Sequence, residues 1–134
     1  MVANRVSGGA GLLRQFGDEI RSSTIIERLR NGLIGKDAAI EGPFGSKPLL
    51  YADYVASGRS LLQVEQFVMD HVLPYYANSH TEASYCGGFM TRMRREARSL
   101  IGDLCGADDR YAVIFSGSGA TSGLNRLVSL LGVS

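Results

Sequence analysis

The 134 residues, 45% apolar and 20% charged, amount to one domain of ordinary size with the balance of a globular chain rather than a disordered one. No apolar run approaches the ~20 residues that cross a bilayer, and a net charge of +1 offers no general attraction to nucleic acid or anionic lipid. Glycine is the outlier: 17 residues, nearly twice the usual ~7%.

The chain reads as a glycine-punctuated extension over residues 1–48 and a more regular body over residues 49–134. The first seventeen residues hold Arg5 and Arg14 with no acid before Asp18. They read as a frayed basic terminus, with a mitochondrial presequence as the other reading. Ser22 or Ser23 can cap a helix through TIIERLRNGL, stopped by Gly32 or Gly35. Residues 41–48 (EGPFGSKP) read as a loop from their Gly and Pro content.

Residues 49–53 (LLYAD) have the form of a short buried strand, followed by a small-residue loop over 55–59. Ser60 can cap a helix whose apolar positions are Leu61, Val64, Phe67, Val68 and Val72, with Pro74 as its stop. A long polar connection, 75–88, leads to a helix with Phe89, Met93, Ala97, Leu100, Ile101 and Leu104 on one face and Gly106 as its C-terminal cap. Residues 111–115 (YAVIF) are the clearest strand. The last helix carries Ala120, Leu124, Leu127, Val128 and Leu131. Strands alternating with helices predict an α/β class with a parallel sheet.

Between the second strand and the last helix lies Ser116-Gly117-Ser118-Gly119-Ala120-Thr121. Glycines there allow a tight turn and close approach of a ligand. The first helical N–H groups lack intrahelical acceptors, the helix dipole adds partial positive charge, and Thr121 brings a hydroxyl. Together these can hold a phosphate at the sheet's C-terminal edge. The same spacing also suits a plain strand-to-helix turn without a ligand. No lysine follows Lys47, so a Walker A loop is excluded; Ser122 stands where a dinucleotide fingerprint has Gly or Ala; and Ser118 lacks the GxSxG flanks of a nucleophile elbow.

Cys86 and Cys105 have no CxxC spacing, and His71 and His80 form neither HxxxH nor HExxH, so no metal site is expected and the thiols read as inert. A reducing, cytoplasmic compartment fits two unpaired cysteines. Arg92, Arg94, Arg95 and Arg98 fan round their helix with Glu96 among them, which reads as a solvated surface rather than a nucleic-acid face.

Taken in order, YADYVASGR, YYANSHTE, the RREAR helix and VIFSGSGATSGLN resemble the N-terminal part of the class V aminotransferases, the fold-type I pyridoxal 5'-phosphate (PLP) enzymes that include the cysteine desulfurases. Tyr51-Ala52-Asp53-Tyr54-Val55-Ala56-Ser57 is similar to that family's first loop, though Tyr54 and Val55 depart from its small or polar residues. Asn78-Ser79-His80 is similar to its N-x-H loop, and residues 115–125 to its glycine-rich turn with one extra residue.

The resemblance implies that Gly119, Ala120 and Thr121 bind the PLP phosphate, and that Ala56, Asn78 and His80 line the substrate side. It implies a small amino acid as substrate and a homodimer as the complete enzyme. It names no catalytic residue in this chain. The Schiff-base lysine, the acid beside the pyridinium nitrogen and the stacking ring all follow the last matching element in that family, and neither Lys36 nor Lys47 stands where that lysine belongs. The expectation is therefore an inactive N-terminal piece of a PLP transferase or lyase, loosely packed or prone to aggregate when isolated. The alternative is a non-catalytic chain that binds a partner or a full-length subunit through this half-domain.

Overall fold

A computed structural model of the chain describes residues 9–133. These residues divide between two compact units, Met1–Arg94 and Arg95–Ser134, the division falling inside a long helix.

The first unit opens with α1, Leu12–Ile20. Leu12, Leu13, Phe16 and Ile20 recur at helical spacing, so this stretch is ordered where fraying was expected; residues 1–8 lie outside the described range. The one helix expected in the extension is present as α2, Ile25–Asn31, entered from Thr24 rather than from Ser22 or Ser23 and left through Gly32. Its end is tied across the chain. A backbone bridge joins Leu33 to Leu61, the Ile34 N–H donates to the Ser60 carbonyl at 3.0 Å, and the Leu62 N–H donates to the Gly32 carbonyl at 2.7 Å.

The 41–48 loop is corrected to part of an antiparallel hairpin, β1 (Ala39–Gly42) paired with β2 (Gly45–Pro48) in the register Ala39–Pro48, Ile40–Lys47, Glu41–Ser46 and Gly42–Gly45. The tight Gly42-Pro43-Phe44-Gly45 connection brings the two arms together at a small loop-closure cost. The helix expected after Ser60 begins as α3, Leu62–Phe67. It then widens into a π turn over Val68–Val72 and tightens into a 3₁₀ turn over Leu73–Tyr75, where Pro74 cannot donate to a continuing α ladder.

The predicted α/β class with a parallel sheet is overturned. Among the described residues the single sheet is the two-stranded antiparallel hairpin, and helices dominate. Residues 49–53 form no strand, and the Leu49 N–H instead donates to the Ala38 carbonyl at 2.8 Å, extending the hairpin by one rung. Residues 111–115 form no strand either, and carry no regular secondary structure. The physical reason is one of partners. A fully apolar strand of this kind is stabilised between neighbouring strands, and among the described residues neither run has a strand beside it along its length.

α4, Tyr85–Leu104, starts four residues before the expected Phe89 and is the longest element. In the first unit, Phe89 (1% exposed) and Met93 of this helix pack with Leu12 as the buried core, and Leu13, Phe67, Val72, Tyr75 and Met90 cover them. Aromatic contacts knit the cluster: Tyr75 to Phe89 at 4.6 Å and Phe16 to Phe67 at 4.4 Å between ring centroids. In the second unit, Gly106 ends α4 as expected, with the Ala107 N–H reaching back to the Gly102 carbonyl at 2.9 Å. α5, Gly119–Leu131, is also present as expected, and none of its residues is buried.

Candidate functional site

Every residue of the expected site is described, and the structure groups them in three places. Gly119, Ala120 and Thr121 form the first turn of α5. The backbone is left-handed at Gly117 (φ +56°) and Gly119 (φ +78°), with the intervening Ser118 extended at φ −104°, ψ 124°. Residues with a Cβ rarely adopt those two glycine conformations, so the SGSG spelling has a local cause. At Gly117 a Cβ would also meet Ser122 Oγ at 2.8 Å, whereas at Gly119 it would meet nothing within 4 Å. The turn is braced by the Ser122 hydroxyl, which donates to the Ser118 carbonyl at 3.2 Å.

No side chain caps the start of α5, no acid stands in its first turn, and Thr121 is exposed. The first-turn amides and the Thr121 hydroxyl are therefore donors in an environment that favours negative charge. That donor set fits a phosphate group. The expected setting does not hold, because residues 111–116 precede the turn without regular secondary structure and not as a strand in a sheet.

Asn78 and His80 lie on one loop, both exposed. Ser79 between them accepts a hydrogen bond from Arg94 Nη1 at 3.1 Å, and the Thr91 hydroxyl donates to the Thr81 carbonyl at 3.3 Å. The loop is thereby stapled to α4, which fixes the backbone that presents Asn78 and His80.

Ala56 sits in a turn that folds on itself. Its N–H donates to Asp53 Oδ1 at 3.3 Å, while the Tyr51 hydroxyl is shared between the Asp53 carbonyl at 3.2 Å and the Ser57 carbonyl at 2.5 Å. Val55, at the apex, is fully exposed.

A further concavity of about 180 Å³ lies within the first unit, lined by residues that include Leu33, Lys36, Leu49, Tyr51, Tyr54 and Arg59. No local motif announces it, because its walls come from segments some twenty positions apart, and only the Gly35 position hints at an unusual backbone.

Both cysteines are free thiols, Cys86 half-buried and Cys105 exposed. Among the described residues, no group of three His, Cys, Asp or Glu side chains could hold a metal ion, and no helix is long and apolar enough to cross a membrane. Compared with protein-family models, with curated proteins and with solved structures, the chain matches none.

Proposed function

We propose that this chain carries the phosphate-binding turn of a PLP-dependent, class V aminotransferase-like protein acting on a small amino acid. The observation that carries the reading is the turn into α5, with glycines at the two left-handed positions, uncapped first-turn amides and an exposed Thr121 hydroxyl. The reading rests on that turn and on the order of the sequence segments, not on a parallel sheet, which the described residues do not form.

In this scheme the Gly119, Ala120 and Thr121 amides and the Thr121 hydroxyl hold the phosphate dianion, and Gly119 leaves its approach open. Ala56, Asn78 and His80 contribute to the substrate side. When bound, the cofactor supplies an electron sink for charge developing at the amino acid's α-carbon. Lys47 lies on β2, and Lys36 is held near Asn31 and Asp37 at 3.5 Å and 4.0 Å; neither is assigned the Schiff-base role. The complete enzyme is then a homodimer to which this chain contributes binding groups. Two free thiols support a reducing compartment such as the cytoplasm.

The test uses pyridoxamine 5'-phosphate, which cannot form adventitious imines with lysines. In equilibrium dialysis and amide NMR on the full chain, it is expected to bind through residues 119–122, with Thr121→Val weakening it about tenfold, the loss of one charge-assisted hydrogen bond. Pyridoxamine without the phosphate binding equally well would overturn the reading.

The second reading, a non-catalytic chain that docks on a partner or a full-length subunit, is favoured by a specific observation. Ile114 and Phe115, before the turn, are 55% and 41% exposed, and Leu124, Leu127 and Leu131 along α5 are exposed as well. Apolar surface of that extent ordinarily marks an interaction site.

A further inference from the structure

The 180 Å³ cleft of the first unit is a built feature, and it is independent of the phosphate turn on α5. Its walls are held in place by long-range backbone bonds. The Ile34 N–H to Ser60 and Leu62 N–H to Gly32 hydrogen bonds clamp residues 32–34 to residues 60–62, so the two lining segments cannot drift apart without breaking both.

Arg59 is fixed across it. Its Nε and Nη2 both donate to the Ile34 carbonyl, at 3.2 and 2.8 Å. The guanidinium lies 5.1 Å from the centroid of the Tyr51 ring. It also occupies the space in which any side chain at position 35 would begin, because a Cβ on Gly35 would overlap Arg59 Nη2, and Gly35 is itself left-handed at φ +79°. Two of the five guanidinium N–H groups are used on Ile34; the other three, including both on Nη1, make no hydrogen bond among the described residues.

The lining chemistry narrows the occupant. Two cations, Lys36 and Arg59, line the cleft, and no carboxylate does. Lys36 Nζ reaches Asn31 Oδ1 at 3.5 Å and the Asp37 carboxylate at 4.0 Å, contacts long enough to yield to a closer anion. The remaining lining residues are two tyrosines, three leucines and Gly35, with Leu50 and Tyr54 at the exposed rim. Tyr51 and Tyr54 meet edge to face at 5.2 Å, beside Leu33, Leu49 and Leu50. A volume of 180 Å³ is below that of a drug-sized pocket but above the ~150 Å³ that houses a benzene ring.

We propose that this cleft binds a small planar carboxylate, an aromatic acid of one ring, with the carboxylate between the free edge of the Arg59 guanidinium and Lys36 and the ring against Tyr54 and the leucines. A guanidinium already immobilised by Ile34 and Gly35 gives up little further freedom on binding, which favours a bidentate carboxylate over a flexible surface pair.

The experiment is hydrogen exchange on the dilute full chain with benzoate as the probe, and with benzamide and inorganic phosphate as comparisons. The Ile34 and Leu62 amide protons report opening of the cleft. Benzoate at several times its dissociation constant is expected to slow their exchange at least about fivefold by mass action, with benzamide and phosphate having little effect. Lys36→Gln, which touches neither clamp, is expected to keep the unliganded exchange rates and lose most of the benzoate effect. Arg59→Gln is expected to abolish the effect, but it also removes the tether, so the decision rests on Lys36→Gln. The proposal is overturned if benzoate slows nothing, if benzamide or phosphate does as well as benzoate, or if Lys36→Gln responds as the unaltered chain does.

Discussion

Asp108 and Arg110 show how much order two neighbouring side chains can impose on a loop. The Arg110 guanidinium grips the Asp108 carboxylate through Nε at 3.0 and 3.1 Å and Nη2 at 2.6 Å, and the Arg110 N–H adds a fourth bond at 3.0 Å. The side-chain bonds first, and the backbone bond second, hold the Asp108 carboxyl below the usual carboxylate range, and the same pairing raises Arg110. Because the folded-state value is depressed, whatever the clasp contributes is present above the ordinary carboxylate range and is lost as pH falls through the folded value. An NMR pH titration is expected to place the Asp108 midpoint below that of the same residue in Arg110→Ala. High salt should narrow the gap, since both groups are exposed. A midpoint unmoved by the substitution would show that the clasp does not form in solution. Phe89 is the opposite kind of residue, buried and touched by Tyr75 and Tyr85. Phe89→Ala is expected to cost about 3–5 kcal/mol, comparable to the whole stability of a marginal domain. Amide protection throughout α1 and the first half of α4 should therefore disappear together.

Each element has its own reason for existing. α2 and α5 follow the ordinary helical period and each is left through a glycine, Gly32 and Gly132, so their positions are legible from residues within a few places of their ends. The hairpin is legible only in retrospect. EGPFGSKP has loop composition, and its exposed strands carry no apolar alternation to announce them, so the pairing comes from the Gly-Pro-Phe-Gly turn and the backbone alone. α1 was within reach of a period count, but its start at left-handed Gly11 offers no capping side chain to mark it. The start of α5 is the element on which the proposed function depends. Gly119→Ala places a Cβ in open space, so its cost is conformational, about 1–2 kcal/mol for forcing φ from +78°. The expected outcome is faster amide exchange over the first turn of α5, with the second turn unchanged, and a loss of pyridoxamine 5'-phosphate binding in step. Unchanged exchange would show that the left-handed turn is not required.

At the scale of the molecule, the exposed apolar side chains of the described residues outnumber the buried ones. Among the described residues the buried hydrophobic side chains are Leu12, Phe89 and Met93, all in the first unit, whereas Tyr111, Ile114 and most apolar residues of α5 are exposed. Burial is what offsets the conformational entropy of folding, so so small a core predicts a weakly cooperative, association-prone chain. The isolated protein is expected to bind a hydrophobic dye and to unfold without a sharp transition, in thermal melts followed by circular dichroism at several concentrations. Ile114→Lys should raise solubility and lower dye binding without changing helix content. A sharp, reversible transition in the unaltered chain would contradict this account, and would require an apolar core larger than the one seen.

The last helix, the glycines of the SGSG turn before it and the glycine stop at Gly106 were readable in order, because each depends on contacts within one or two turns of the chain. The two apolar runs at 49–53 and 111–115 were equally conspicuous, yet their strand form was not theirs to decide. A strand exists only when another segment accepts and donates its backbone hydrogen bonds, and among the described residues the one sheet is the local hairpin, with a single isolated bridge between Leu33 and Leu61. The cleft lay beyond the sequence for the same reason. Lys36 and Arg59 are unremarkable surface cations in a one-dimensional reading, and they become two sides of one site only because backbone bonds clamp residues 32–34 to residues 60–62.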